Sequence, residues 1–224
     1  MRRTIGLIIA CILASVFYWY AKSDMSILNP YIDREMLDTL LIFKGENFIR
    51  GYVWTVLTSI FIHAGLGHLA GNMVFLYVFG KAVEDELGSR KVLVAFFTGG
   101  ILTFILSLPF YGFKVMMLGA SAAIFTLIAV VMLTKPLKFS WFFFMPLGLV
   151  AILYFFYNVV ATLYLESGGI GYLAHVIGFL IGFPMGIIWS RRKWFRNLII
   201  ATALLIIYFI VMYYLGEFLN IRLY

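Results

Sequence analysis

Seven stretches of this chain, at about 4–21, 66–86, 92–109, 119–134, 142–164, 170–189 and 197–216, are almost wholly apolar. Each reaches or approaches the roughly 20 residues that cross a bilayer as a helix. Inside hydrocarbon no water is available to satisfy backbone amides, so only helices and closed barrels can span. A barrel would show segments of about ten alternating residues separated by turns, and that pattern is absent. Of the 224 residues, 64% are hydrophobic and 12% charged, against about 25% charged in a soluble domain. The fold expected is therefore all-α, a polytopic membrane helix bundle.

The net charge is +7, but the basic residues sit in short clusters between apolar runs, where they act as topology signals. No nucleic-acid partner is expected. Counted over alternate loops, one side carries Arg2, Arg3, Lys81, Arg90, Lys91, Lys135, Lys138, Arg191, Arg192, Lys193 and Arg196, eleven in all. The other carries Lys22, Arg34, Lys44, Arg50, Lys114 and Arg222, which is six. This asymmetry places the N-terminus in the cytoplasm of a multi-pass protein, with a prokaryotic plasma membrane as the expected location. The first apolar segment reads as an uncleaved signal anchor, because its run continues into Phe17, Tyr18, Trp19 and Tyr20 without a small-residue cleavage site. Cys11 has no partner for a disulfide. The stretch 22–58 mixes charged residues with Leu37, Leu40, Leu41, Ile42 and Phe43, as short amphipathic pieces at a membrane interface do.

Polar side chains at membrane depth are costly and point to function. His68 and Asn72 lie four residues apart on one helical face. Ser121 opens the fourth segment, in Gly119-Ala120-Ser121-Ala122, and His175 lies in the sixth. A serine hydroxyl needs a nearby base to become a nucleophile, and His175 can be that base. Ser121 also sits at a helix N-terminus, where free N–H groups favour developing negative charge. His68 and Asn72, with the Ser121 amide, can donate to an oxyanion. Ala174, Gly178, Gly182 and Gly186 recur every four residues, a small-residue ridge that lets another helix approach closely. Each residue alone also has a plainer role in packing or interhelical hydrogen bonding. No metal site is expected, since only His63, His68 and His175 are available and no carboxylate lies near them. No other cofactor is expected.

These motifs, in this order, resemble the rhomboid family of intramembrane serine proteases over roughly Trp54 to Gly186. They are His63-Ala-Gly-Leu-Gly-His68-Leu-Ala-Gly-Asn72, Gly80-Lys-Ala-Val-Glu84 with Gly88, Gly119-Ala-Ser121, and Ala174-His175-Val-Ile-Gly178 followed by Gly182. The resemblance implies a catalytic dyad of Ser121 and His175 without an acidic third member. It implies an oxyanion hole of His68, Asn72 and the Ser121 amide, with Gly119, Phe125 and Gly178 in support. Phe125 stands where the family commonly has Tyr, Ala122 where it commonly has Gly, and Trp54-Thr55 where it commonly has Trp-Arg.

The resemblance further implies a six-helix core over 1–190, including the membrane-associated loop 22–58, with 191–224 as an additional transmembrane helix and short tail. The activity implied is cleavage of single-span transmembrane substrates near the outer face, within the lipid bilayer. The alternative is a catalytically inert rhomboid-like protein that binds membrane clients. A small transporter is disfavoured because no inverted repeat appears. No oligomeric state is implied.

Overall fold

Helix α1, Arg2–Ser23, runs along one side of the bundle in the computed structural model, which describes residues 2–24, 33–165 and 171–218. Three short helices follow in the long loop: α2 (Arg34–Leu41), α3 (Gly45–Ile49) and α4 (Thr55–Phe61). Asp33 starts α2 by accepting from the Met36 N–H at 2.7 Å, a standard N-terminal cap. The described part of the loop is thus folded, as the mixed apolar and charged sequence implied. Its residues 25–32 lie outside the described residues, as do 219–224 of the tail.

The next span comprises α5 (Leu66–Phe75), a π-helical turn (Leu76–Gly80) and α6 (Lys81–Leu87). Gly88, at φ +90, then reverses the chain into α7 (Ser89–Tyr111), a backbone conformation that favours glycine. Helix α8 (Ser121–Thr134), α9 (Leu147–Tyr164), α10 (Tyr172–Trp189) and α11 (Trp194–Phe218) complete the bundle. Among the described residues six helices are long and apolar enough to cross a membrane, and α8 is a shorter apolar one.

Two expected boundaries move. The fourth segment was expected from 119, but helix begins at Ser121 because Gly119 has φ +109. The fifth was expected from 142, but Phe139–Ser140 and Met145–Pro146 form a two-stranded hairpin and helix starts after Pro146. The reason is local: a proline pushes the residue before it out of helical geometry and suits a helix start. The aromatic run Trp141 to Met145 therefore turns at the N-terminal side of the bundle instead of extending α9.

Helix α8 occupies the centre. Every residue from Ala122 to Leu133 is buried, which explains a helix apolar on all faces. Cys11 is fully buried in the same core. Two polar anchors fix the outer helices to it. The Glu84 carboxylate accepts from the Arg3 and Thr4 amides (both 3.1 Å), the Thr4 hydroxyl (2.7 Å) and the Ser89 hydroxyl (2.7 Å). A carboxylate there satisfies the unpaired amides at the start of α1. At α11, Asn197 Nδ2 donates to the carbonyls of Leu133 (2.8 Å) and Thr134 (3.3 Å) at the end of α8. The outer face of α11 presents Ile199, Ile206, Phe209 and Ile210, as a lipid-facing helix does.

Candidate active site

The N-terminus of α8 is held in place by the loops around it. Met117 N–H bonds to the Phe43 carbonyl at 3.0 Å and Gly119 N–H to the Ser59 carbonyl at 2.8 Å. Gly119 must be glycine for a second reason beside its positive φ: a Cβ there would lie 2.9 Å from His68 Nε2. Next comes Ser121, the first residue of the helix. The first intrahelical bond runs from Ile124 N–H to the Ala120 carbonyl, so the Ser121 amide has no partner within the helix.

Helix α10 approaches α8 along the predicted small-residue ridge. A Cβ on Gly178 would lie 2.4 Å from the Ala122 carbonyl oxygen, and one on Gly182 would lie 2.3 Å from that of Thr126. Only hydrogen fits at either place. The Thr126 hydroxyl donates to the Gly178 carbonyl at 2.8 Å. His175, one turn before Gly178, consequently lies beside the start of α8, where its ring stacks on Phe125 at 4.5 Å and an interplanar angle of 6°. No hydrogen bond joins Ser121 to His175 among the described residues; His175 Nδ1 pairs instead with Asn158 Oδ1 of α9 at 2.8 Å. A base whose other nitrogen is so held keeps Nε2 for a second partner, and nucleophile–base contacts commonly tighten only when substrate binds.

Facing this from α5 are His68 and Asn72. Ala64 N–H donates to His68 Nδ1 at 3.4 Å, which puts the proton of the neutral ring on Nε2, the atom turned toward Gly119. Asn72 Nδ2 is buried with no hydrogen-bond partner. The atom lies 3.7 Å from where a Gly119 Cβ would stand, so its N–H is available to an acceptor brought to this turn. The two histidines are therefore complementary: His68 offers an N–H and His175 a lone pair.

Two residues here escaped the sequence reading. Asn158 was visible as an amide inside the fifth apolar segment but was not singled out. His63 entered as an available metal ligand and as the first residue of the motif ending in Asn72, without a role of its own. It is fully buried and its Nε2 accepts from the Ala120 N–H at 3.3 Å, immediately before Ser121. Nδ1 contacts the Ser15 hydroxyl at 3.1 Å and the Phe61 carbonyl at 3.2 Å, while Trp19 Nε1 donates to its carbonyl at 2.7 Å. Burial first, and the neighbouring His68 second, push the His63 pKa down to about 4, so the ring is neutral and can accept. The departure at Trp54-Thr55 has its own bonds: Trp54 Nε1 donates to the Leu40 carbonyl at 2.8 Å and the Thr55 hydroxyl to the Tyr52 carbonyl at 2.7 Å. A cavity of about 330 Å³ lined by Lys135, Lys138, Arg196 and Asn197 lies at the opposite end of α8.

The Rhomboid domain family matches residues 50–192 of this chain, a range that contains every residue of the site. The chain belongs to the rhomboid family. Its relatives include Rhomboid-like protease 3 of Toxoplasma gondii, 26% identical over 208 residues, 85% of this chain and 76% of the relative. Rhomboid protease GluP of Bacillus subtilis is 38% identical over 91 residues, 39% of this rhomboid but 18% of the relative. Rhomboid-like protein 11, chloroplastic, of Arabidopsis thaliana is 32% identical over 100 residues, 45% of this chain and 35% of the relative. This rhomboid is thus a multi-pass membrane protein, a rhomboid-type intramembrane protease or rhomboid-like protein. Relatives come from bacteria and from plant organelles, so the expected prokaryotic plasma membrane is one of several settings in which such proteins occur.

Proposed function

We propose that this rhomboid is a serine-type intramembrane endopeptidase in which Ser121 is the nucleophile and His175 the general base. The observation that carries the reading is the buried, unpaired Asn72 amide converging with His68 on the Gly119–Ser121 turn, with His175 stacked on Phe125 across it. In the reaction Ser121 Oγ attacks the scissile carbonyl and its proton passes to His175 Nε2. The carbonyl oxygen becomes an oxyanion that accepts from Asn72 Nδ2, His68 Nε2–H and the Ser121 N–H. His175 then returns the proton to the leaving amine as the C–N bond breaks, and water repeats the sequence on the acyl-enzyme. Asn72 supplies a donor whose bond strengthens as negative charge develops on the oxygen, which favours the transition state over the ground state.

The substrates proposed are single-span transmembrane segments. Their helix must open near the cut, since a helical carbonyl is engaged in its own backbone. The positive-inside asymmetry supports an N-terminus in the cytoplasm and the site at the outer face. The interface at Asn197 supports a core over 1–190 with 191–224 as an added element.

The test is cleavage of a generic single-span substrate in liposomes. Ser121→Ala and His175→Ala should abolish it, and Asn72→Ala should slow it by 10²-fold or more with the fold intact. Cleavage by either dyad variant at the parental rate would sink the assignment. An inert parent that still binds the substrate would make the protein a client-binding rhomboid-like protein.

A further inference from the structure

Asn158 belongs to α9, the helix whose Tyr154 ring lies 6.1 Å from that of Phe125. It is buried in spite of two exposed neighbours, Phe156 and Tyr157, and both ends of its amide are bonded. Nδ2 donates to the Tyr154 carbonyl one turn back at 2.8 Å, and Oδ1 lies 2.8 Å from His175 Nδ1. The first bond fixes the orientation of the second. Were the amide reversed, its oxygen would face the Tyr154 carbonyl, two acceptors with no proton between them. With Oδ1 toward the histidine, Nδ1 must carry the ring proton, and the lone pair of the neutral ring is on Nε2.

Phe125 and Asn158 constrain the ring in different ways. Stacking at 6° sets the plane of the imidazole, while the bond to Nδ1 sets which way it is turned within that plane. We propose that Asn158 is a positioning residue, holding His175 in the tautomer whose Nε2 can take the Ser121 proton. The proposal rests on the reading of Ser121 and His175 as the reacting pair. When the proton arrives at Nε2 the ring becomes an imidazolium with two N–H groups, and Asn158 Oδ1 continues to accept from Nδ1–H. A carboxylate would stabilise that cation more strongly, but it would place a permanent charge at membrane depth in the resting protein, where charge is costly. A neutral amide orients the base without that cost. An asparagine serving only to join α9 to α10 would bias the ring proton through the same bond, but its loss would lower stability without a selective loss of kcat.

That difference can be measured on the full chain, which has three histidines. With ¹⁵N-labelled histidine at neutral pH in lipid, the His175 ring, assigned by the loss of its signals in His175→Gln, should be protonated on Nδ1. Asn158→Leu keeps the volume and removes the acceptor. It should shift His175 toward the Nε2–H form and lower kcat about tenfold or more, leaving KM within about twofold. Asn158→Asp, its second oxygen protonated to donate to the Tyr154 carbonyl as Nδ2 does, retains an acceptor oxygen and should restore the Nδ1–H form and most of kcat. A His175 protonated on Nε2 in the parent overturns the proposal. So does Asn158→Leu with parental tautomer and kcat, or Asn158→Asp no better than Asn158→Leu. If Asn158→Leu does not fold, the parent spectrum and the Asp variant decide. The spectrum does not depend on cleavage, so the two failures separate. A chain that switches tautomer but never cuts defeats the protease reading. One that cuts through Ser121 and His175 with an unswitched tautomer defeats this one.

Discussion

Gly178→Ala asks whether the α8–α10 contact sets the geometry of the site. The new Cβ would lie 2.4 Å from the Ala122 carbonyl oxygen, 3.1 Å from its carbon and 3.2 Å from its Cα. Ordinary contact between such atoms is about 3.5 Å, so the helices must part by about 1 Å. The atoms in the way are backbone, which cannot swing aside as a side chain can. Overpacking of this kind costs about 1–3 kcal/mol. The displacement also falls next to Ser121, between it and a base carried on the other helix. Misplacement by about 1 Å can cost about 10²-fold in rate. The control is Gly6→Ala, where nothing lies within 4 Å of a new Cβ and a helical alanine is favoured by about 0.5–1 kcal/mol. Thermal unfolding in detergent and cleavage kinetics in liposomes should both separate the two variants. If Gly178→Ala melts and cleaves like Gly6→Ala, the close approach is not what positions the site.

Acid should loosen the same region. Above about pH 6.5 His63 is neutral both folded and unfolded, while between that value and about 4 only the unfolded chain takes up the proton. Stability therefore falls as pH falls through this window, and His63→Gln should flatten a melting-temperature profile measured from pH 7 to 4; an unchanged profile refutes it. Asn197→Leu removes both bonds to the end of α8, leaving buried carbonyls unpaired at a cost of about 1–3 kcal/mol. Protease accessibility of the α10–α11 connection should rise in that variant, with Ser121 labelling by a fluorophosphonate retained; equal accessibility would show that α11 is held elsewhere.

Seven apolar runs were enough to read the spans, because hydrocarbon permits so few backbone solutions. Their ends were less readable. Gly119 and Pro146 each displace a helix start through a local dihedral constraint that hydropathy does not register. The small-residue ridge on α10 was plain in the sequence, but its partner was not: that Gly178 meets Ala122 and Gly182 meets Thr126 depends on which helices lie side by side. Ser121, His68, Asn72 and His175 stood out as polar groups in apolar surroundings. Asn158 met the same criterion and was passed over, since an amide in such a helix is so often a simple cross-link. His63 opens the motif that ends in Asn72 but was given no role, because it lies just before a span in a loop whose burial is a tertiary property.

The shortness of α8 has a mechanical consequence. Its 14 residues rise about 21 Å at 1.5 Å per residue, about 9 Å less than a hydrocarbon core of about 30 Å. If its Thr134 end is level with the ends of the neighbouring helices, Ser121 falls short of the opposite membrane surface, and what stands above it must be water or protein. The depth of that well is the bilayer thickness less a fixed helix length. A thicker membrane then deepens it, and a thinner one brings the serine toward the headgroups. Bilayer thickness would thereby help select which peptide bond of a spanning substrate comes level with the hydroxyl.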